Sequence, residues 1–418
     1  MTVKRVRLPH RIWHGAGTLE LDFPGNWDIV HCRMAGHDCP PLTPKQIAAG
    51  FASPIGSPRL HELARGKRQV AILFDDISRP TPVKDLLPFV LAELKEAGIA
   101  DQAIRFICSS GCHGAHSYED FVKKLGQDIL DRFPVYNHNI YENCTYAGTT
   151  SQGTELYVNS EVMSCDLKIG IGSVITHPQT GFGGGGKIIL PGVAAIDSIE
   201  AYHRLEYKYR EDGKGNLLGM SNYQDNPMAR DFNEAAGIAG LDFKVDVLVN
   251  GNGLPCAIYC GNPEREYQAA AGDALAHYAT KPAPGTDVAV VNNYCKGNEA
   301  IIGLIIGITL LVEKGGDLVL VMDCPAGQVV HHLIGSFGKS VRGRQFQAVN
   351  FSLPWIKRVI VLCPQFEHSM ADWLCIPGTK WVKRWQDVME ILEEDFPSGA
   401  KAAIVPDGTI QYLVPGKS

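Results

Sequence analysis

The sequence predicts an α/β protein made of two α/β domains with mostly parallel sheets and an active site in the cleft between them. The chain has 418 residues, more than one ordinary hydrophobic core accommodates. Apolar runs of strand length alternate with amphipathic stretches of helix length, an order that favours parallel sheets covered by helices. A linker-like stretch over residues 279–285 (ATKPAPG) interrupts this alternation, which restarts after it.

The elements predicted before the linker begin with the buried strand QVAILFD, followed by a helix whose apolar face is LLPFVLAEL. Ser117 and Asp120 form a capping-box pattern at the start of the second helix. Predicted strands cover residues 69–75, 103–109, 166–174 and 243–250, and predicted helices cover residues 83–98, 117–126, 194–207 and 264–278.

The elements predicted after the linker are strands over residues 287–293, 317–323 and 358–363, and helices over residues 300–313 and 385–394. We therefore expect a first domain over residues 1–280. A second domain over residues 281–396 would close the cleft. The strand-like tail, residues 397–418, is expected to return to the first domain.

Composition narrows the possible partners and locations. The net charge of −6 argues against a nucleic-acid partner, because phosphate binding needs a basic surface. Residues 1–15 have no signal-peptide pattern, and the longest apolar run, residues 300–312, is too short to cross a bilayer. We therefore expect a cytoplasmic protein without a membrane partner.

Twelve cysteines are spread from Cys32 to Cys375 without a C-x-x-C pair. This spacing predicts neither a disulfide framework nor a zinc knuckle. Most of the thiols are expected to be reduced and buried.

The most unusual segment runs from His177 to Lys187 and contains four consecutive glycines just before the lysine. Glycines are costly to order, so a run of them after a buried strand indicates a backbone that bends sharply or contacts a ligand, rather than a flexible surface loop. The spacing from Gly181 to Lys187 also resembles a phosphate-binding P-loop. However, Ile188 stands where that loop needs Ser or Thr for magnesium, so an NTPase is not favoured.

Polar side chains follow two predicted strands at the edge where open α/β sheets bind ligands. Asp76 and Arg79 lie in the segment DDISRPTP, and the Arg79 guanidinium can either bind a carboxylate through two parallel bonds or pair with an aspartate. His113 follows the next strand in the segment GCHG. With His177 and His203, it forms a set of histidines suited to proton transfer or metal binding.

These motifs together resemble the lactate racemase family, whose enzymes carry a nickel-pincer nucleotide. The matching features are DISRPTP at residues 76–82, GCHG at residues 111–114, His177 ten positions before Lys187, and His203 sixteen positions after it. The segment PIGSP at residues 54–58 also matches, so the resemblance covers most of the first 210 residues.

The resemblance implies an isomerase, a racemase or 2-epimerase that acts on a 2-hydroxy acid by reversible hydride transfer to the cofactor. Lys187 would carry the nucleotide covalently, and His203 would be the protein ligand to nickel. His113 and His177 would be the two acid/base groups on opposite faces of the substrate.

The resemblance also implies supporting contacts and partners. Arg79 would bind the substrate carboxylate, and Asp76 would lie near the cofactor or orient Arg79. Gly183, Gly184 and Gly185 would contact the cofactor. The expected partners are the small-molecule substrate and the enzymes that synthesise the cofactor and insert nickel.

Two features depart from the family pattern. Gly186 stands in place of the arginine that usually precedes the tethering lysine, which removes a cation near the cofactor or substrate. Where the family offers Gln and Lys from the second domain, this chain has NNYCKGN at residues 292–298. Lys296 and Asn298 are expected to bind the substrate there.

Two alternative functions use the same residues. The first is a metal-dependent lyase or hydrolase that employs the histidines without a tethered nucleotide. The second is a non-catalytic ligand-binding protein that retains the fold.

Overall fold

Two six-stranded sheets organise the protein. The computed structural model describes residues 2–299, 301–333, 353–366, 368 and 376–414. In chain order, the strands of these residues are β1 Val3–His10, β2 Gly17–Pro24, β3 Asp28–His31, β4 Val70–Phe74, β5 Ile104–Cys108, β6 Val135–Asn137, β7 Cys144–Thr149, β8 Glu155–Asn159, β9 Leu167–Ser173, β10 Thr176–His177, β11 Gly181–Phe182, β12 Phe243–Val249, β13 Pro255–Gly261, β14 Ala279–Thr280, β15 Val288–Asn292, β16 Gly316–Val321, β17 Ile356–Leu362, β18 Lys380–Val382, β19 Lys401–Val405 and β20 Tyr412–Leu413.

The helices start where the sequence supplies capping residues. Ser117 caps its helix through a reciprocal bond with Asp120, as predicted, and Asn226 and Asn262 each cap a helix that opens with proline. The α-helices of the described residues are α1 Pro44–Ala52, α2 Leu60–Ala64, α3 Val83–Glu96, α4 Tyr118–Leu125, α5 Gln127–Arg132, α6 Ser160–Met163, α7 Ile196–Glu211, α8 Pro227–Ala239, α9 Pro263–His277, α10 Ile301–Leu310 and α11 Trp385–Glu393.

The first sheet has the strand order β13-β12-β9-β4-β5-β6, and all its neighbours are parallel except β12 and β13. Every residue of β4, β9 and β12 is buried. Strands that are covered on both faces need a continuous apolar sequence. For this reason β4, β9 and β12 could be predicted as buried strands from the sequence. The carboxyl ends of β4, β5 and β9 lie side by side at one edge.

The second sheet has the order β18-β17-β16-β15-β19-β3 and is parallel throughout. Both ends of the chain enter it, because β3 pairs with β19. The tail also contributes β20, which pairs in parallel with β14. The division at residue 280, with the tail joined to the first domain, stays a prediction. The pairing places residues 28–31 and 401–405 in the second sheet.

The predicted fold class is confirmed: mostly parallel sheets with helices are present in both halves of the chain. The sequence did not predict the hairpin of β1 and β2, whose buried residues Leu8, Leu21 and Phe23 pack onto the second sheet. It also did not predict α8, which packs against the turn containing Lys187. In the described ranges, no helix has the length and apolar character needed to span a membrane.

Candidate functional site

A cavity of about 400 Å³ lies at the carboxyl ends of β4, β5 and β9, where parallel sheets bind ligands. The second half of the chain closes it with the segment before α10, with α10 itself and with His331. The sequence-predicted residues on its wall are Asp76, Arg79, His113, His177, Gly183, Gly184, Lys187, His203 and Lys296.

His113 is held between two carboxylates. Its Nδ1 lies 2.6 Å from Oδ2 of Asp76, and its Nε2 lies 3.1 Å from Oε1 of Glu299. Burial disfavours the imidazolium, but the two carboxylates outweigh it and raise the pKa of His113 to about 9. Contact with the imidazolium also holds the pKa of the buried Asp76 carboxyl well below its usual value. His113 is therefore protonated at neutral pH.

Arg79 also contacts Glu299. Its Nη1 lies 2.7 Å from Oε2 of Glu299 and donates to the backbone oxygen and hydroxyl of Ser78. The sequence allowed an Asp76–Arg79 contact, but the Asp76 carboxylate is bonded to His113 and Ser78 instead. Asp76 thus positions the imidazole, and the ion-pair partner of Arg79 comes from the second half of the chain.

Lys187 and His177 contact each other directly. Nζ of Lys187 lies 2.9 Å from Nε2 of His177, while Nδ1 of His177 faces the backbone N–H groups of Gln179 and Thr180. Desolvation and the charges of Arg79 and Lys296 lower the pKa of Lys187 well below its usual value. Desolvation and the neighbouring Lys187 likewise lower the pKa of His177 well below its usual value. His177 is therefore neutral at the pH at which His113 is charged.

His203 lies on the buried face of α7. Its Nδ1 is 2.7 Å from the carbonyl oxygen of Ile199 and donates to it, so the lone pair of the neutral ring is on Nε2. Burial lowers the pKa of His203 to about 4. The ring is thus an uncharged donor atom on the cavity wall, as a metal ligand must be.

The glycine run forms a sharp turn rather than a phosphate cradle. Gly184 and Gly185 have φ angles of +86° and +52°, which favour glycine, and they lead into a 3₁₀ turn that carries Lys187. The N–H of Gly185 is bonded to Asp246 at 2.6 Å, and the position its Cβ would take lies 2.7 Å from the ring of Tyr267. Gly185, expected at the cofactor, therefore lies behind the cavity wall, whereas Gly183 and Gly184 are on it.

At Gly186, a side chain would have no room. The position of its Cβ overlaps the backbone oxygen of Phe232 in α8 and lies 3.0 Å from the Cβ of Ala236. Helix α8 fills the space in which a residue at 186 would extend. The absence of the family's usual arginine at this position therefore has a local steric cause in this chain.

Of the two residues expected from the second half, one is on the wall. Lys296 is 1% exposed, and burial with the charge of Arg79 lowers its pKa to about 8. Asn298 is not on the wall, and its backbone oxygen accepts from Val329. Glu299, one position further, contacts Arg79 and His113 and was missed although it lies in the same short segment.

Other wall residues carried no recognisable sequence signal. His331 pairs with the GCHG segment through an isolated bridge to His113, and its Nε2 lies 3.2 Å from the Cys112 thiol. Four wall hydroxyls have no hydrogen-bond partner among the described residues: Ser109, Ser110, Ser173 and Thr176. Unpaired buried hydroxyls are costly, so they indicate a polar ligand in this cavity.

Comparison with known proteins finds a similarity to lactate racemases. Residues 14–214 match the family model of the lactate racemase N-terminal domain. The chain is 27% identical over 284 residues to the lactate racemase of Thermoanaerobacterium thermosaccharolyticum, an alignment that covers 67% of this chain and 65% of that protein. It is 29% identical over 250 residues to the lactate racemase of Lactiplantibacillus plantarum, covering 59% and 57% respectively. The alignments thus span less than two thirds of each relative.

Solved structures share the fold over a longer range. The lactate racemase apoprotein of Thermoanaerobacterium thermosaccharolyticum superimposes with a TM-score of 0.72 at 20% identity, over 99% of this chain and 100% of that one. A protein from Thermotoga maritima superimposes with a TM-score of 0.63 at 18% identity, over 90% and 99% of the two chains.

The steric account of residue 186 can be tested on stability. Gly186→Ala should lower the free energy of unfolding by about 1–3 kcal/mol, because the new methyl group forces the turn away from the Phe232 backbone. Gly237→Ala is the matched control, since it lies in α8 with open space around its Cβ position and should be neutral or stabilising. Urea denaturation of the two variants measures both effects. Equal stability of both variants would contradict the account.

Proposed function

We propose that the chain is a member of the lactate racemase family and that it inverts the configuration at C2 of a 2-hydroxy acid, as a racemase or 2-epimerase. The observation that carries the proposal is that one cavity holds two histidines with opposite neighbours: His113 lies between two carboxylates, and His177 lies beside Lys187. His113 is held as an imidazolium by Asp76 and Glu299, whereas His177 is held neutral. Inversion needs one group that removes a proton and another that delivers one.

Each histidine has its role for one enantiomer. The neutral His177 accepts the C2 hydroxyl proton of the enantiomer whose hydroxyl faces it, and the imidazolium of His113 returns a proton to the oxygen on the other side. The opposite enantiomer uses the two groups in exchanged roles. Asp76 keeps the His113 ring in place through Nδ1. Nε2, which contacts Glu299 in the structure, is the nitrogen at which a substrate oxygen would replace that carboxylate.

Lys187 is suited to carry the cofactor. An amine must be uncharged to form an amide, and desolvation beside Arg79 and Lys296 favours the uncharged form of Lys187. The unpaired hydroxyls of Ser109, Ser110 and Ser173 fit the phosphate and hydroxyl groups of a mononucleotide. When bound, the nickel-pincer nucleotide would supply the acceptor for the hydride from C2.

His203 would hold the nickel. Its Nε2 carries the free lone pair, because Nδ1 donates to Ile199, and a carbonyl bond at the second nitrogen is a usual way to orient a ligating imidazole. Its depressed pKa keeps protons from competing with the metal at neutral pH.

Arg79 would bind the substrate carboxylate, with Lys296 as a second cation on the same wall.

A metal-dependent hydrolase or lyase is less well supported. Cys112, His113 and His331 bring their ligand atoms within 4.8 Å of one another. However, both nitrogens of His113 are engaged with carboxylates, and burial raises the pKa of the Cys112 thiol to about 12.

The tether can be tested by intact mass. After loading by cofactor-synthesising enzymes, the wild-type chain should gain the mass of the nucleotide, and Lys187→Ala should gain none, because it lacks the acylated amine. Lys296→Ala is the control, since it removes another lysine of the same cavity and should keep the adduct. An adduct on Lys187→Ala would show that the tether is elsewhere.

The metal ligand can be tested by nickel content. In the loaded protein, His203→Ala should lose nickel on extensive dialysis, because one of few ligands is removed. His331→Ala removes another imidazole from the cavity wall and should retain the metal. The measurement is nickel per chain by elemental analysis. Equal retention by His203→Ala and wild type would refute the role of His203.

The two-histidine mechanism predicts the pH dependence. The rate should fall as pH rises through about 9, where His113 loses its proton, and as pH falls well below 6.5, where His177 gains one. The rates of conversion in the two directions should show the same bell-shaped pH profile, because both depend on His113 and His177. His113→Ala and His177→Ala should each lower kcat/KM by about 10²–10⁴-fold in both directions. A fully loaded variant that retains wild-type rates would exclude its histidine from the chemistry.

A further inference from the structure

Glu299 reaches from the second half of the chain into the site formed by the first. Its Oε2 lies 2.7 Å from Nη1 of Arg79, and its Oε1 lies 3.1 Å from Nε2 of His113. The side chain is 8% exposed, so the carboxylate is shielded from bulk water. The proposed function assigns the substrate carboxylate to Arg79 and the C2 oxygen to His113. Glu299 therefore places a fixed negative charge beside the reacting end of the substrate.

Glu299 can stay in the site when a substrate binds. The hydrogen bonds of the Arg79 guanidinium with the described residues all run from Nη1. Because a guanidinium has five donors, Nε and Nη2 can bind a substrate carboxylate in a fork. The substrate carboxylate and Glu299 would then lie on two sides of the Arg79 guanidinium. At Nε2 of His113, in contrast, a substrate oxygen would replace Glu299.

The charges at this end of the cavity leave room for one carboxylate. Three cationic groups, those of Arg79, Lys296 and protonated His113, face two carboxylates, those of Asp76 and Glu299. Buried charges are unfavourable unless paired, so the excess of one positive charge favours a ligand with one negative charge at this end. Lys187 is not counted among the cations, because burial and the charges of Arg79 and Lys296 favour its uncharged form. The other ionic groups of the wall have partners in the protein: Asp75 with Lys124, Lys244 with Asp246, and Glu206 with Arg210.

The wall contributed by α10 is apolar. Ile301, Ile302 and Ile305 line the cavity next to Glu299. These side chains offer no donor to a charged substrate chain. On this side of the reacting end, a second carboxylate on the substrate would meet this apolar surface or the charge of Glu299.

We propose that Glu299 is a specificity-determining residue that restricts the site to 2-hydroxy acids with one carboxylate and excludes dicarboxylates. The inference rests on the proposed function for the identity of the reacting end. Two unit charges roughly 6 Å apart at an effective dielectric constant of about 20 repel each other by the equivalent of about 100-fold in binding. The discrimination against a dicarboxylate should therefore be large enough to measure.

The experiment compares the binding of lactate and malate by calorimetry, with the cofactor-loaded protein and its Glu299→Gln variant. Wild type should bind lactate at least about 10-fold more tightly than malate, and Glu299→Gln should reduce this preference to within about threefold, because the amide keeps the size but not the charge. Glu206→Gln is the matched control. It makes the same change on the same wall, at a carboxylate whose partners are Arg210 and Gln179 rather than Arg79 and His113, and should leave the lactate preference intact.

Three results would overturn the proposal. Wild type could bind malate as tightly as lactate, a result that needs no folded variant. Glu299→Gln could weaken both acids equally, which would make Glu299 only a support for Arg79. Glu206→Gln could change the preference for lactate over malate as much as Glu299→Gln does. The preference would then depend on the total charge of the cavity and not on Glu299. A missing Lys187 adduct or missing inversion at C2 would count against the proposed function. The same binding ratio would then be measured on the protein without the adduct, so it would still test Glu299.

Discussion

Desolvation of ionisable groups at the carboxyl edge of the first sheet is the constraint on which the site depends. The cavity removes water from cations and carboxylates together, so each group takes the protonation state that its neighbours impose. His113 next to Asp76 and Glu299 is charged, whereas His177 next to Lys187 is neutral. Two identical side chains thereby acquire opposite properties, which the proposed two-histidine chemistry uses.

Carboxylates outside the reacting positions fix the geometry of that site. Asp76 orients His113, and Asp246 binds the N–H of Gly185 at the base of the turn that carries Lys187. Asp246 is itself fully buried and paired with Lys244 at 2.5 Å. Breaking such a pair leaves an uncompensated buried charge, so the pair stabilises the position of the turn between the first sheet and helix α8.

The site is completed only when the two halves of the chain meet. The Arg79–Glu299 ion pair joins residues 220 positions apart, and the backbone of His332 donates to Cys112 across the same boundary. Strands β3 and β19 bring both chain ends into the second sheet, which supports the segment containing Glu299 and Lys296. The charge inside the cavity is therefore set jointly by both halves.

The sequence by itself determined the fold class and the first half of the site. Buried parallel strands need continuous apolar runs, and residues that follow them meet at one edge, so Asp76, Arg79 and His113 could be placed in advance. Only the tertiary structure decided that Glu299, rather than Asp76, is the ion-pair partner of Arg79, and that Gly185 and Asn298 lie off the cavity wall. Contacts between distant segments depend on how the sheets pack, which local periodicity does not encode. The protonation states of His113 and His177 were also decided by the tertiary structure, because they depend on which charged groups the fold buries next to each ring.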